Sequence, residues 1–200
     1  MFTLEALTSL FQQALLSAHS VVPNWPAAIA CLAIVLKLLL APLQLFTFKQ
    51  QKLMQATKER FDELREKYGK DPARYLSETR ALKARVGIKS GRTVVATLLQ
   101  GVIFLGMYKA ITTGSLLSGV SFMWLTSLAV PDPLYLLPLL LAAVSYLQVR
   151  QTPQPVPVPR WTFPALAAVF GVALPAASIL FSVSSSLTQF AIQRGIERWF

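Results

Sequence analysis

A polar segment of 44 residues, 49–92, interrupts a chain otherwise made of apolar stretches, and this alternation limits the fold more than any other feature. Thirteen of the 19 basic residues lie in it beside six acids, a local charge of +7. Around it, four stretches are long and apolar enough to suggest membrane helices. Of all residues 54% are apolar and 14% charged, whereas about a quarter are charged in a soluble domain. A cytosolic enzyme is therefore nearly excluded. One cysteine, Cys31, and one histidine, His19, leave no material for disulfides or a His/Cys metal centre. The net charge of +10 would by itself suit nucleic acid, a membrane surface or topology signals. Its concentration between apolar stretches favours the last, placing the polar segment in the cytoplasm under the positive-inside rule. The sequence reads as an all-α integral membrane protein. Its N-terminus has neither a basic n-region nor a small-residue cleavage site, so no cleaved signal peptide is expected.

Along the chain, residues 2–20 place Leu4, Leu7, Leu10, Phe11, Ala14, Leu15 and Ala18 on one helical face, the pattern of an interfacial helix. Pro23, Asn24, Trp25 and Pro26 break it, with Trp25 suited to the headgroup level. The first span is expected over 25–46 and a cytoplasmic helical hairpin over 47–92. Within the hairpin, Gly69 is read as C′, Asp71 as N-cap and Pro72 as first helical residue. Further spans are expected over 93–111, 134–149, 163–174 and 176–192, the third and fourth short. The 112–131 connection lies outside, with a short helix expected near 122–128, and a Pro-rich loop (Pro153, Pro155, Pro157, Pro159) lies inside. Five spans put the N-terminus outside and Arg150, Arg160, Arg194 and Arg198 all on the cytoplasmic side.

One ionisable residue falls deep within a span. Lys37 precedes Phe48 by eleven residues, roughly 16 Å at 1.5 Å per residue, near the bilayer midplane. A lysine there costs about 2.5–3.5 kcal/mol on insertion scales, so it should face protein or water. The alternative is a lysine that snorkels to the headgroups; the depth and the small or polar residues on its face (Ala30, Ala33, Ala41, Gln44) favour the first reading. A second stripe holds Thr93, Ala96, Thr97 and Gln100, and a third Ser178, Ser182, Ser185, Ser186, Gln189 and Gln193. Serines on one membrane helix usually serve packing. Three polar stripes, one with a cation, instead suggest a hydrophilic cavity. No catalytic set, phosphate loop or zinc spacing accompanies them. His19 is read as a cap or anchor of the first helix and Asp132, between prolines, as a helix cap.

Six stretches in order carry a resemblance: HSVVPNW at 19–25, LKLLLAPL at 36–43, LREKYGKDP at 64–72, LLQ at 98–100, PDPLYLLPLL at 131–140 and LPAASILFSVSSSLTQFAIQRG at 174–195. Together they resemble the YidC/Oxa/Alb family of membrane protein insertases. The resemblance implies five helices around a groove open to cytoplasm and lipid, with the family's groove arginine falling on Lys37 and its groove glutamine on Gln100. Departures are the lysine itself, which unlike arginine is titratable, Lys89-Ser90-Gly91-Arg92-Thr93 in place of Asn-Pro-Leu-Gly-Gly, Val102 where a proline is usual, and Phe181-Ser182 for an aromatic pair. No large domain precedes the core and no basic tail follows Phe200 in this sequence, so any docking to a ribosome is expected through the hairpin.

The function expected is that of an insertase and chaperone that passes short polar segments through the groove without nucleotide hydrolysis. Its lining is expected to be Lys37, Gln44, Thr97, Gln100, Ser182, Ser185 and Gln189. The hairpin residues expected to dock partners are Lys58, Arg60, Arg65, Lys67, Arg74, Arg80 and Lys83, although a solvated charge run is the plainer reading for any single one. Neither enzyme chemistry nor a cofactor nor a metal is expected. The expected partners are nascent membrane proteins with short translocated tails, the lipid of a plasma (inner) membrane, and a ribosome or Sec-type translocon at the hairpin, with no specific nucleic acid. Two rival classes are a non-inserting assembly chaperone and an anion-selective channel or transporter.

Overall fold

The computed structural model describes residues 4–113, 116–151 and 159–197. Its described residues form nine helices and no strand beyond one isolated bridge, an all-α chain. They are α1 (Leu4–Val21), α2 (Trp25–Leu39), α3 (Ala41–Ala56), α4 (Lys58–Tyr68), α5 (Pro72–Val86), α6 (Ser90–Thr112), α7 (Leu136–Gln151), α8 (Thr162–Ala173) and α9 (Ala176–Glu197). The core lies among α1, α2, α6, α7 and α9, where Leu15, Ile29, Met107, Ile111 and Ile179 are almost wholly buried.

Local chemistry explains the breaks. The Asn24 side chain accepts from the Ala27 N–H at 3.2 Å and caps α2, whose second residue is Pro26. The apolar segment expected as one helix over 25–46 is instead broken at Leu40, because Pro42 lacks the N–H that an unbroken ladder needs. Its second piece, α3, runs on into the polar segment as far as Ala56, so the first hairpin helix starts only at Lys58. Asp71 caps α5 by accepting from the Arg74 N–H at 3.2 Å, with Pro72 first in the helix, as read from sequence. Gly69 differs: it closes α4 with φ −59°, right-handed rather than the left-handed C′ expected. The left-handed glycine is Gly87, which ends α5 at φ 81°. Neither α4 nor α5 has a buried residue; they pack on each other with half-buried Leu64 and Leu82 at the hollow between them.

Between α6 and α7 no helix forms at 122–128. Phe122 and Leu125 instead exchange backbone hydrogen bonds of 3.0 and 2.8 Å in a tight turn, with Met123 at φ 52°. This loop folds inward: Leu117, Leu125 and Leu128 are fully buried, and the Leu128 and Val130 carbonyls accept from the first amides of α9, Ala177 and Ala176, at 3.0 and 2.9 Å. Asp132 ties it to α7. Its carboxylate accepts from Leu137 N–H at 2.7 Å, Leu134 N–H at 3.0 Å and Trp124 Nε1 at 2.9 Å. Burial alone would raise this carboxyl, but those donors and the Leu136 N–H outweigh it and hold it below its ordinary value. Most of the Pro-rich loop and Arg198 lie outside the described residues.

By length and composition α6 is, among the described residues, the one helix able to cross a membrane by itself. The pair Glu5–Val21 and Trp25–Leu39 meets the same measure only jointly and is bent by 117°. His19 in the last turn of α1 stacks on Trp25 at a centroid distance of 3.8 Å, with ring planes 5° apart, which anchors the corner. The apolar helices α7 and α8 are shorter.

Candidate functional site

Lys37 projects from the last turn of α2, where the helix is about to break, and its Nζ donates to Gln189 Oε1 of α9 at 3.0 Å. Both residues are half-buried. Among the described residues, the partner of this cation is an amide and not a carboxylate, so its charge is hydrogen-bonded but not neutralised. Beside it lies a cleft of about 180 Å³. α2 and its end contribute Leu36, Lys37 and Leu40; α6 contributes Gln100, Ile103 and Phe104; α9 contributes Phe181, Ser182, Ser185 and Ser186. The Ser182 hydroxyl donates to the Ser178 carbonyl at 2.8 Å, so what it offers the cleft is an acceptor oxygen. The arrangement supplies a positive head, amide groups and hydroxyls within walls of Leu, Ile and Phe. Such a lining can hold a carboxylate or an unpaired backbone group that the apolar surroundings would otherwise penalise.

The cleft thus gathers Lys37, Gln100, Ser182 and Ser185, with Gln189 joined to it through the lysine. Gln44 sits seven residues beyond Lys37 on α3, 5% exposed, and neither atom of its amide has a partner among the described residues. Thr97 lines a different, apolar cleft between α3 and α6, and its hydroxyl donates to the Thr93 carbonyl at 3.1 Å. Spacing on one helix fixes angles around that helix but not which neighbour stands opposite, so Thr97 and Gln100 share a stripe and face different clefts. Ser186 completes the cleft and was signalled by its own serine run. Gln148 of α7 donates from Nε2 to the Ser186 carbonyl at 2.9 Å, a link whose only hint in the sequence is an amide in an apolar stretch.

Lys58, Arg60, Arg65, Lys67, Arg74 and Arg80 are exposed and Lys83 is half-buried. Arg60 lines a shallow hollow between α4 and α5 with Glu63, Glu78 and Arg85. Arg74 lies 3.8 Å from Asp71 in an exposed contact, which contributes little.

The family model described as 60Kd inner membrane protein matches residues 17–200. The membrane protein insertase YidC of Syntrophus aciditrophicus is 34% identical over 136 residues, 68% of this chain and 25% of that protein. That of Histophilus somni (strain 129Pt) is 30% identical over 190 residues, 90% of this chain and 35% of the relative. That of Aquifex aeolicus is 30% identical over 134 residues, 67% and 27% respectively. The chain therefore spans about a quarter to a third of the length of these relatives. With the match running across both the Lys37 helix and the serine helix, the chain belongs to the 60Kd inner membrane protein family, that of the YidC insertases.

Proposed function

We propose that this chain is the working core of a membrane protein insertase. The carrying observation is the half-buried Lys37–Gln189 pair beside a polar cleft enclosed by apolar helices. In this reading α2, α6, α7, α8 and α9 span an inner (plasma) membrane, with the N-terminus outside and the hairpin in the cytoplasm. Each unpaired backbone group crossing hydrocarbon costs several kcal/mol. The cleft replaces part of that hydrocarbon with hydrogen-bond partners. Helix α8 has 12 residues and spans roughly 18 Å, against ~30 Å of bilayer core, so the membrane thins beside it. A short acidic tail is drawn to Lys37 and then released outward as the following apolar segment enters lipid. That burial, with the membrane potential acting on the acids, drives the step without nucleotide hydrolysis. Substrates are nascent membrane proteins with short translocated tails. The basic hairpin is the docking surface for a ribosome or Sec-type translocon.

The test is reconstitution of the pure chain in liposomes with a single-span protein bearing a short acidic N-terminal tail, read by protease protection of that tail. Protection by the native chain and Lys37→Arg, but not by Lys37→Ala, supports a groove that works through its charge. Equal protection by all three, or by empty liposomes, would overturn it.

A further inference from the structure

Two apolar clefts flank the start of α6 where α3 packs on it. One, of about 360 Å³, is lined by Met54 and Gln50 of α3, by Ile88 and by Val94 and Leu98 of α6. The other, of about 460 Å³, lies against Pro42, Leu43 and Phe46 of α3 and against Arg92 and Val95 of α6. Their separation follows from helix geometry. Ala96, 1% exposed, faces the interior, so Arg92 and Val95 fall on one flank of α6 while Thr93, Val94 and Thr97 fall on the other. Ser90 lines the first cleft and its neighbour Gly91 the second, and Gln50 Oε1 accepts from the Lys89 N–H at 2.7 Å, which pins this start of α6 against α3.

The start of α6 is basic. Lys89 and Arg92 are exposed there, Lys49 and Lys52 are exposed on the α3 side, and the sequence has no acid between 41 and 56 or between 87 and 112. Val94, Val95 and Leu98 around the clefts are 56%, 64% and 64% exposed, an outward apolar surface. Two apolar clefts meeting at Ser90 and Gly91, with Lys89 and Arg92 on either side of that point, match the charge and the paired apolar chains of a phospholipid with a negative headgroup. We infer that an anionic phospholipid of the cytoplasmic leaflet seats here, one acyl chain in each cleft and its phosphate at Lys89 and Arg92. The inference rests on the membrane placement proposed above. A bound lipid fills the seam between α3 and α6 and so steadies the broken segment that carries Lys37.

The test equilibrates the full chain, in mild detergent micelles, with equal amounts of phosphatidylglycerol and phosphatidylcholine of matched acyl chains, and reads complexes by native mass spectrometry. A one-to-one complex should favour phosphatidylglycerol by roughly ten- to thirtyfold, the attraction two basic side chains contribute near an anionic surface. Lys89→Gln with Arg92→Gln should bring the preference near parity, while the charge-matched Arg150→Gln with Arg160→Gln keeps it. Val95→Trp fills one cleft with no change of charge and should lower retention, as should a lysolipid with a single chain. Parity in the native chain, a preference that survives Lys89→Gln with Arg92→Gln, or equal loss in the charge-matched control would overturn the inference. A chain that does not enter phosphatidylglycerol nanodiscs at all would sink the membrane reading itself; one that enters them without preference sinks only this site.

Discussion

At the loop end of the bundle Asp132 is 2% exposed and accepts from the Leu134 and Leu137 amides and the Trp124 indole, whereas toward the hairpin end Gln44 is 5% exposed and its amide has no partner among the described residues. Both are polar groups taken out of water beside apolar packing. In the first case the chain itself supplies every partner, and the loop between α6 and α7 becomes a fixed closure over the helix ends. In the second, capacity for hydrogen bonds is left over, in Gln44 and in the buried Oε1 of Gln193. Buried polar groups are satisfied in the great majority of cases, so unspent ones concentrate where a protein binds something or changes state. Unpaired atoms are not confined to one end, since Ser178 Oγ and His19 Nδ1 also lack hydrogen-bond partners among the described residues. The contrast is between two side chains, a carboxylate fixed by the chain and an amide, Gln44, left with its full capacity near the Lys37 helix.

The sharpest way to break that comparison is at Lys37. Its replacement by Ala should lower insertion of an acidic tail roughly ten- to hundredfold, the worth of a hydrogen bond to a charged group, in the protease-protection assay above. The thermal midpoint should barely change, since the cation is only half-buried.

Asp132→Ala should do the opposite. It strands three donors and should cost about 3 kcal/mol, read as a fall of several degrees in detergent melting. The pH dependence has a definite sign. The Asp132 carboxyl is held below its ordinary value, so its contribution is fully present above about pH 4 and is lost as pH falls through the folded value. Native chain and Asp132→Asn should therefore differ in midpoint at pH 7 and converge in acid; a constant difference would show that charge is not what matters there.

Gly106 gives the next effect. A Cβ at this position would stand 2.6 Å from the ring of Phe11, itself 4% exposed, where α1 crosses α6. Gly106→Ala should cost about 1–3 kcal/mol in the same melting experiment, and Phe11→Leu in the same chain should recover part of it. Gln44→Leu sharpens the comparison from the other side: removing an unsatisfied amide should raise stability by about 1 kcal/mol while lowering insertion. A loss of both would mean that Gln44 is structural. The smallest effect is expected for Asp71→Ala, which removes the α5 cap and costs about 1 kcal/mol locally. Hydrogen exchange in the hairpin should quicken, with insertion in liposomes unchanged.

Much of the helix content was legible because its signals are local. Asp71-Pro72 announced a helix start through a side-chain acceptor and a ring with fixed φ, and the spacing of Ser182, Ser185 and Gln189 identified one face of α9. The break at Leu40 was signalled by Pro42 but outweighed by the continuous apolar run over 25–46, which reads as one span if only hydrophobicity is weighed. The turn at Phe122 and Leu125 could not be read, because apolar residues there are buried against distant helices and not arranged at a helical period. The cleft was legible in three of its walls, since Lys37, Gln100 and the serines each stand out on their own helix. Where Thr97 went depended on how α3 crosses α6, information that no single segment holds.

The corner between α1 and α2 has a mechanical consequence. If α2 runs along the membrane normal, a bend of 117° leaves α1 within about 30° of the membrane plane. The stacked His19 and Trp25 rings make that corner a stiff bracket. The apolar face of α1 is spent on the core, with Phe11 and Leu15 buried against α2 and α6, so in the proposed placement α1 is clamped to the bundle at a fixed angle, as an outrigger is to a hull. Because Lys37 hangs from the same bracket, under the function proposed here the depth at which the cation would ride, and hence how far a polar tail would travel to meet it, is set in part by a helix that contributes no residue to the cleft.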